Sequence, residues 1–179
     1  MTDMNCKCGV TKVSPRKVQQ QAECNFKNGY YCCEALMAAI RSEFQLDVPQ
    51  EVIAMASGMA VGVGKSGCMC GAVNGGVLAL GMLFGRTKQD GPTNPKSVKT
   101  MELTHELHDW FEEANGKRAT CCRILTQEFD MGKGEHKEQC IYYTGLCAWK
   151  VAQMICRECG ITNLDEVDEP AARRTLAEI

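Results

Sequence analysis

The stretch Cys32-Cys-Glu-Ala-Leu-Met-Ala-Ala-Ile-Arg-Ser-Glu-Phe44 decides the fold class. Its large apolar residues, Leu36, Met37, Ile40 and Phe44, recur at spacings of three and four, the period of a helix with one face in a core. A helix is therefore expected from about Tyr30 to Phe44. The same period returns on both sides. Upstream, Ser14-Pro15 offers a capping hydroxyl followed by proline in the first turn, predicting a helix to about Asn25 that Asn28-Gly29 ends. Downstream, Asp47-Val48-Pro49 stops the second helix and opens a short third one through about Ser57. A further helix is expected from Cys70 to about Arg86. Asn94-Pro95 begins a long amphipathic helix through Glu113, carrying Met101, Leu103, Leu107, Trp110 and Phe111, and Asn115-Gly116 closes it. Thr120 can cap a helix from Cys121 to about Phe129, Gly132 and Gly134 break it, and a last long helix covers about Lys137 to Glu158. No segment longer than a few residues alternates like a strand. The expected fold is all-α, a compact bundle of about five to seven helices with a glycine-rich loop.

The 179 residues suit one domain. They divide into a cysteine-containing arm over 1–13, a helical redox domain over 14–160, and a charged tail or docking helix over 161–179. The formal charge of −2 leaves no basic face of the kind nucleic acid requires. The opening Met-Thr-Asp-Met-Asn-Cys6 lacks an apolar run behind a basic flank. The apolar run Val77 to Phe84 is too short to span a bilayer. A cytoplasmic protein without a membrane span is expected.

Against that background 13 cysteines stand out, at 6, 8, 24, 32, 33, 68, 70, 121, 122, 140, 147, 156 and 159. In a cytosolic chain of this size abundant thiols serve more often as metal ligands or redox centres than as disulfides. The plainer reading is that several are small core residues. Their placement favours chemistry. Cys32-Cys33, Cys68-x-Cys70, Cys121-Cys122 and Cys140 each fall at a predicted helix start, where the dipole and free amides stabilise a thiolate. Thiolates gathered from several helix starts form a good anionic site for an iron–sulfur cluster, which takes about four such ligands.

Between two of these groups lies Gly58-Met-Ala-Val-Gly-Val-Gly-Lys-Ser-Gly67, whose four glycines require tight turns or a close approach. It departs from the phosphate-loop pattern, since five residues separate Gly58 from Gly64 and no strand precedes it. The following helix is crowded with small residues, Gly71, Ala72, Gly75, Gly76, Ala79 and Gly81, so another helix or a cofactor must pack close against it.

Several segments resemble a redox-active family named for its C…GCAxxG…C…C pattern, whose domain also occurs in split-Soret cytochrome c. Gly29-Tyr-Tyr-Cys32-Cys33-Glu-Ala-Leu36 is similar to the family's Gly-Tyr-Asn-Cys-Ala-Gln-Ala segment. Cys70-Gly-Ala-Val-Asn-Gly-Gly-Val-Leu-Ala-Leu-Gly81 is similar to its glycine-rich cysteine motif. Cys122-Arg-Ile-Leu125 and Cys140 resemble the third and fourth cysteine segments. The local order is Cys-Gly-Ala rather than Gly-Cys-Ala, with Gly67-Cys68 as an alternative alignment. Over roughly residues 24 to 160 the resemblance implies an all-helical fold and a redox role, with an iron–sulfur cluster, [2Fe-2S] or [4Fe-4S], as cofactor. It selects Cys32, Cys70, Cys122 and Cys140 as ligands, with Cys33, Cys68, Cys121 and Cys147 as second choices. Gly67 and Gly71 are the candidates for backbone contact with the cofactor. No CxxCH occurs, so no haem is expected.

A second site is conceivable at Cys6-Lys-Cys8 and Cys156-Arg-Glu-Cys159, which supply four sulfurs for zinc or a second cluster if the termini meet. Cys156 and Cys159 could equally form a reversible disulfide. His105 and His108, three apart, are expected on a helix surface, and His136 in a loop or cap. The first functional expectation is an electron carrier or redox sensor, serving a redox partner protein, rather than an enzyme with its own substrate. The alternatives are a metal-free thiol–disulfide oxidoreductase and a multi-thiolate copper or zinc binder. Close backbone packing on the glycine-rich helix would also suit a homodimer.

Overall fold

The computed structural model describes residues 6–174 and 178. Among these residues seven α-helices and almost no strand make it an all-α protein, as the apolar period predicts. In chain order the helices are α1 (Pro15–Lys27), α2 (Cys32–Glu43), α3 (Ala60–Val63), α4 (Gly71–Phe84), α5 (Pro95–Ala114), α6 (Cys122–Leu125) and α7 (Lys137–Cys159), with a 3₁₀ segment, Gln50–Met59, before α3.

The long helix α7 runs through the middle. Residues on every side of it are buried, from Gln139 and Ile141 to Ile155 and Cys156, and α1, α2, α4 and α5 pack around it. Among the described residues no helix is long and apolar enough to cross a membrane.

The starts and stops follow local chemistry. Ser14 Oγ accepts from Lys17 N at 3.1 Å and opens α1, and Gly29, at φ 115°, ends that turn. Asn94 Oδ1 accepts from Lys96 N at 2.8 Å and opens α5. The α5 core stripe is Leu103, Leu107 and Phe111 at intervals of four. Met101 lies two residues off that stripe and is 70% exposed, contrary to its expected place in the apolar face.

The helix expected over 121–129 is a single turn. Cys121 rather than Thr120 occupies its cap, because the Thr120 carbonyl is taken by Cys70 N–H at 2.7 Å. Its far end stops because the Leu125 carbonyl, which a continuing helix would offer to residue 129, accepts instead from Gln139 Nε2 at 2.7 Å and Lys117 Nζ at 3.1 Å.

The segments flanking the helical body meet in a parallel bridge of two residues each, β1 (Lys12–Val13) beside β2 (Thr162–Asn163). Residues 164–174 contain no helix. They lie back across α1, where Ala171 N–H donates to Gln19 Oε1 at 2.7 Å and Arg16 N–H to Asp165 at 2.9 Å.

Candidate functional site

Four chain segments deliver cysteine to one place. Cys32 is the first residue of α2, Cys70 caps α4, Cys122 is the first residue of α6, and Cys140 stands in the first turn of α7. All four line one cavity of about 400 Å³. Its wall also includes Gly71, Ala72, Val61, His136 and Ile141, and its mouth is bordered by Tyr30, Tyr31 and Met131, all exposed.

The residues between these cysteines explain how the sulfurs come together. The short α3 is itself left-handed past its first residue, since Val61, Gly62, Val63 and, just beyond it, Gly64 all have positive φ. Gly62 is required there, because a Cβ would run into the Gly67–Cys68 backbone. The turn carries the Val61 N–H to the Cys32 sulfur. It also brings residues 66–70 against α6 and the residue pair before it, where Arg123 N–H donates to Gly67 O at 2.9 Å and Cys70 N–H to Thr120 O. Cys70 and Cys122 are thereby tied to each other through their backbones.

Gly71 is the tightest point, since a Cβ on it would overlap the Cys32 sulfur. Gly75 approaches the α2 backbone at Cys33, and Gly76 the side chains of Leu107 and Val151. Gly75 and Gly76 thus serve the helix packing anticipated for this helix, while Gly71 leaves room for a thiol. Gly81, on the same helix, meets nothing.

The cavity is electrostatically uneven. The Cys33 thiol hydrogen-bonds to Cys32, and the Val61, Cys33 and Cys32 amides add to it, holding the Cys32 thiol below its ordinary range despite burial. Cys33 has one hydrogen and a second acceptor, the Ala56 carbonyl at 2.8 Å. The hydrogen favours the sulfur once Cys32 is ionised, because charge-assisted bonds are the stronger. Burial, reinforced by the charge on Cys32, pushes Cys70 and Cys122 up and Cys140 to about 12. Cys32 is therefore the first of the four to ionise.

His136 adds a feature that the sequence reading left in a loop or cap. It does cap α7, with its carbonyl accepting from Cys140 N–H at 3.0 Å. Its Nδ1, shielded from solvent, has no hydrogen-bond partner. Burial lowers its pKa, so the ring stays neutral. The overlooked signal was its position four residues before Cys140, one helical turn away on the same face.

Residues 30–154 match the family model described as "Putative redox-active protein (C_GCAxxG_C_C)". The chain belongs to that family. Membership supports a redox role for its many cysteines. No curated protein and no solved structure matches.

In this member of the redox-active family the remaining candidate cysteines lie outside the cavity. Cys33 turns into a small cluster with Met37, Ala56 and Ala60. Cys147 is fully buried in the core, near Cys70. Cys68 and Cys121 face each other outside, Sγ to Sγ 2.7 Å. Gly67 packs against the Arg123 side chain and does not reach the cavity.

The termini do meet, but Cys6 is joined to Cys159 in a disulfide, leaving Cys8 and Cys156 as thiols that burial pushes up to about 11. Neither a four-thiolate set nor a Cys156–Cys159 bond is present there. His105 and His108 are on the surface, as expected, both paired with Asp109. Among the described residues no group of three or more His, Cys, Asp or Glu side chains is arranged to hold a single metal ion.

Proposed function

We propose that the cavity of Cys32, Cys70, Cys122 and Cys140 binds an iron–sulfur cluster, and that the chain acts in the cytoplasm as an electron carrier or redox sensor for a partner protein. The observation that carries this reading is that four cysteines, from four separate helix starts, line one cavity together with His136, whose Nδ1 is shielded and unpartnered. A single ion needs its donors drawn to about 2.0–2.3 Å of one point. A cluster spreads its thiolates over several iron atoms, so its ligands need not meet at one point. When bound, the cluster would supply the electron-transfer chemistry.

The chain's own residues do the rest. Cys32, the most readily ionised of the four, offers the first anchor. Cys70, Cys122 and Cys140 each give up a proton on ligation, which their burial otherwise opposes. Gly71 leaves the space that the Cys32 sulfur occupies. His136, in the tautomer with hydrogen on Nδ1, is a ready donor to sulfur, and such bonds raise a cluster's potential. Tyr30, Tyr31 and Met131 narrow the mouth.

Anaerobic purification with iron and sulfide analysis tests the proposal. Matched iron and sulfide with broad visible absorption are expected. Serine at Cys32, Cys70, Cys122 or Cys140 should remove most of both, and serine at the exposed Cys24 should not. A colourless, metal-free protein after anaerobic reconstitution would refute the reading.

A further inference from the structure

A second pair of thiols stands outside the cavity. Cys68 is exposed, Cys121 is half-exposed, and their sulfurs are 2.7 Å apart although 53 residues separate them in sequence. That separation is well inside the ordinary contact of two unbonded sulfurs and needs well under 1 Å of closure to reach the bonded distance of about 2.05 Å.

The backbone holds the approach from both sides. Cys70 N–H donates to Thr120 O at 2.7 Å, Arg123 N–H to Gly67 O at 2.9 Å, and Arg123 Nη2 to Ser66 O at 3.2 Å. Gly67, at φ 82°, admits this contact, since a Cβ there would sit 3.1 Å from Arg123 Cβ. Each thiol therefore lies on a segment anchored to the other, and bond formation leaves those anchors undisturbed.

We propose that Cys68 and Cys121 form a dithiol–disulfide exchange site, distinct from the four-cysteine cavity, that reacts with small external disulfides of the glutathione type. One cysteine, as its thiolate, attacks a sulfur of the external disulfide. A protein–ligand S–S bond forms, the external S–S bond breaks, and the departing thiolate takes up the proton. The second cysteine then attacks the protein sulfur of that mixed disulfide. The Cys68–Cys121 bond forms and the second external thiol leaves with its proton. Two electrons pass from the cysteines to the external disulfide, which becomes two thiols. The Arg123 side chain beside Gly67 gives the site a cation suited to an anionic disulfide such as oxidised glutathione.

Because the two cysteines adjoin Cys70 and Cys122, their bond would staple together the two loops that carry half of the cavity's thiols. The exchange itself does not depend on what the cavity holds.

The test treats the folded full-length protein with oxidised glutathione, blocks free thiols, and maps the peptides by mass spectrometry with fragmentation. The expected result is a peptide pair joined between Cys68 and Cys121, lighter by two hydrogens than its thiol form, reversed by dithiothreitol. The same treatment in urea should lose this preference. Cys68→Ser and Cys121→Ser should each abolish the link and leave a stable mixed disulfide on the surviving partner. Recovery of both residues as free thiols or as separate glutathione adducts in the folded wild type would overturn the proposal. A bond made instead through Cys70 or Cys122 would do the same. Iron and sulfide measured on the same samples separate this outcome from the fate of the cluster reading. Loss of metal on substituting Cys68 or Cys121 would make them ligands and overturn the distinct-site assignment.

Discussion

Three glycines on α4 face three different surroundings, so replacing each with alanine separates the function of the cavity from the stability of the fold. In a helix interior alanine is favoured over glycine by roughly 0.5–1 kcal/mol. At Gly81 a Cβ would meet nothing within 4 Å, so Gly81→Ala should keep that gain and raise Tm by about 2–4 °C per kcal/mol for a chain of this size. At Gly75 the Cβ would stand 2.9 Å from both Cα and O of Cys33. Backbone cannot rotate aside, so the α2–α4 contact must open, and overpacking of this kind costs about 1–3 kcal/mol. Gly75→Ala should therefore be net destabilised. Gly71 is the informative case. Its Cβ would overlap Cys32 Sγ, but that sulfur ends a side chain free to turn about one bond. An off-rotamer position costs roughly 0.5–1.5 kcal/mol, and Gly71, as the first residue of α4, recovers little of the interior gain. Gly71→Ala should melt modestly below wild type while the Cys32 sulfur leaves the cavity and iron and sulfide content falls. Differential scanning calorimetry on metal-free protein, with iron and sulfide assays after reconstitution, reads both quantities. A Gly71→Ala protein that takes up full iron with an unchanged visible spectrum would refute the reasoning, as would a Gly81→Ala protein that melts below wild type.

Three further outcomes follow from the site and its surroundings. His136→Ala should leave iron content unchanged and lower the reduction potential, measured by spectroelectrochemistry, because a donor to sulfur is lost; an unchanged potential would exclude that contact. Metal loading near neutral pH should release protons, because burial keeps Cys70, Cys122 and Cys140 protonated in the metal-free protein, and calorimetry in buffers of different ionisation heat reads them. Burial raises Cys140 from 9.0 to about 12, so the folded metal-free protein holds a proton that the unfolded chain loses first. The resulting stability is complete below about pH 9 and lost as pH rises toward 12, which urea titration across that range checks. Finally, Cys6→Ser should lower the stability of the metal-free protein by about 2–4 kcal/mol, since it opens the Cys6–Cys159 link between the chain ends; a melt unchanged by the substitution would mean that the arm contributes nothing.

What the sequence determined by itself is whatever depends on neighbours a few residues apart. The period of Leu36, Met37, Ile40 and Phe44 was enough for α2, and Ser14-Pro15 and Asn94-Pro95 were enough for two helix starts, because caps and amphipathic faces are local. The segment order Cys32, Cys70, Cys122, Cys140 was legible as a pattern for the same reason. The single turn of α6 was not, since it ends where Gln139 and Lys117, distant in sequence, take the Leu125 carbonyl. Nor could spacing tell Cys32 from Cys33 or Cys70 from Cys68. Adjacent residues at a helix start point about 100° apart, and only packing decides which sulfur enters the cavity and which meets the Ala56 carbonyl or Cys121. The Cys6–Cys159 bond and the unpartnered His136 nitrogen likewise belong to the tertiary structure, because both depend on what the chain brings close in space.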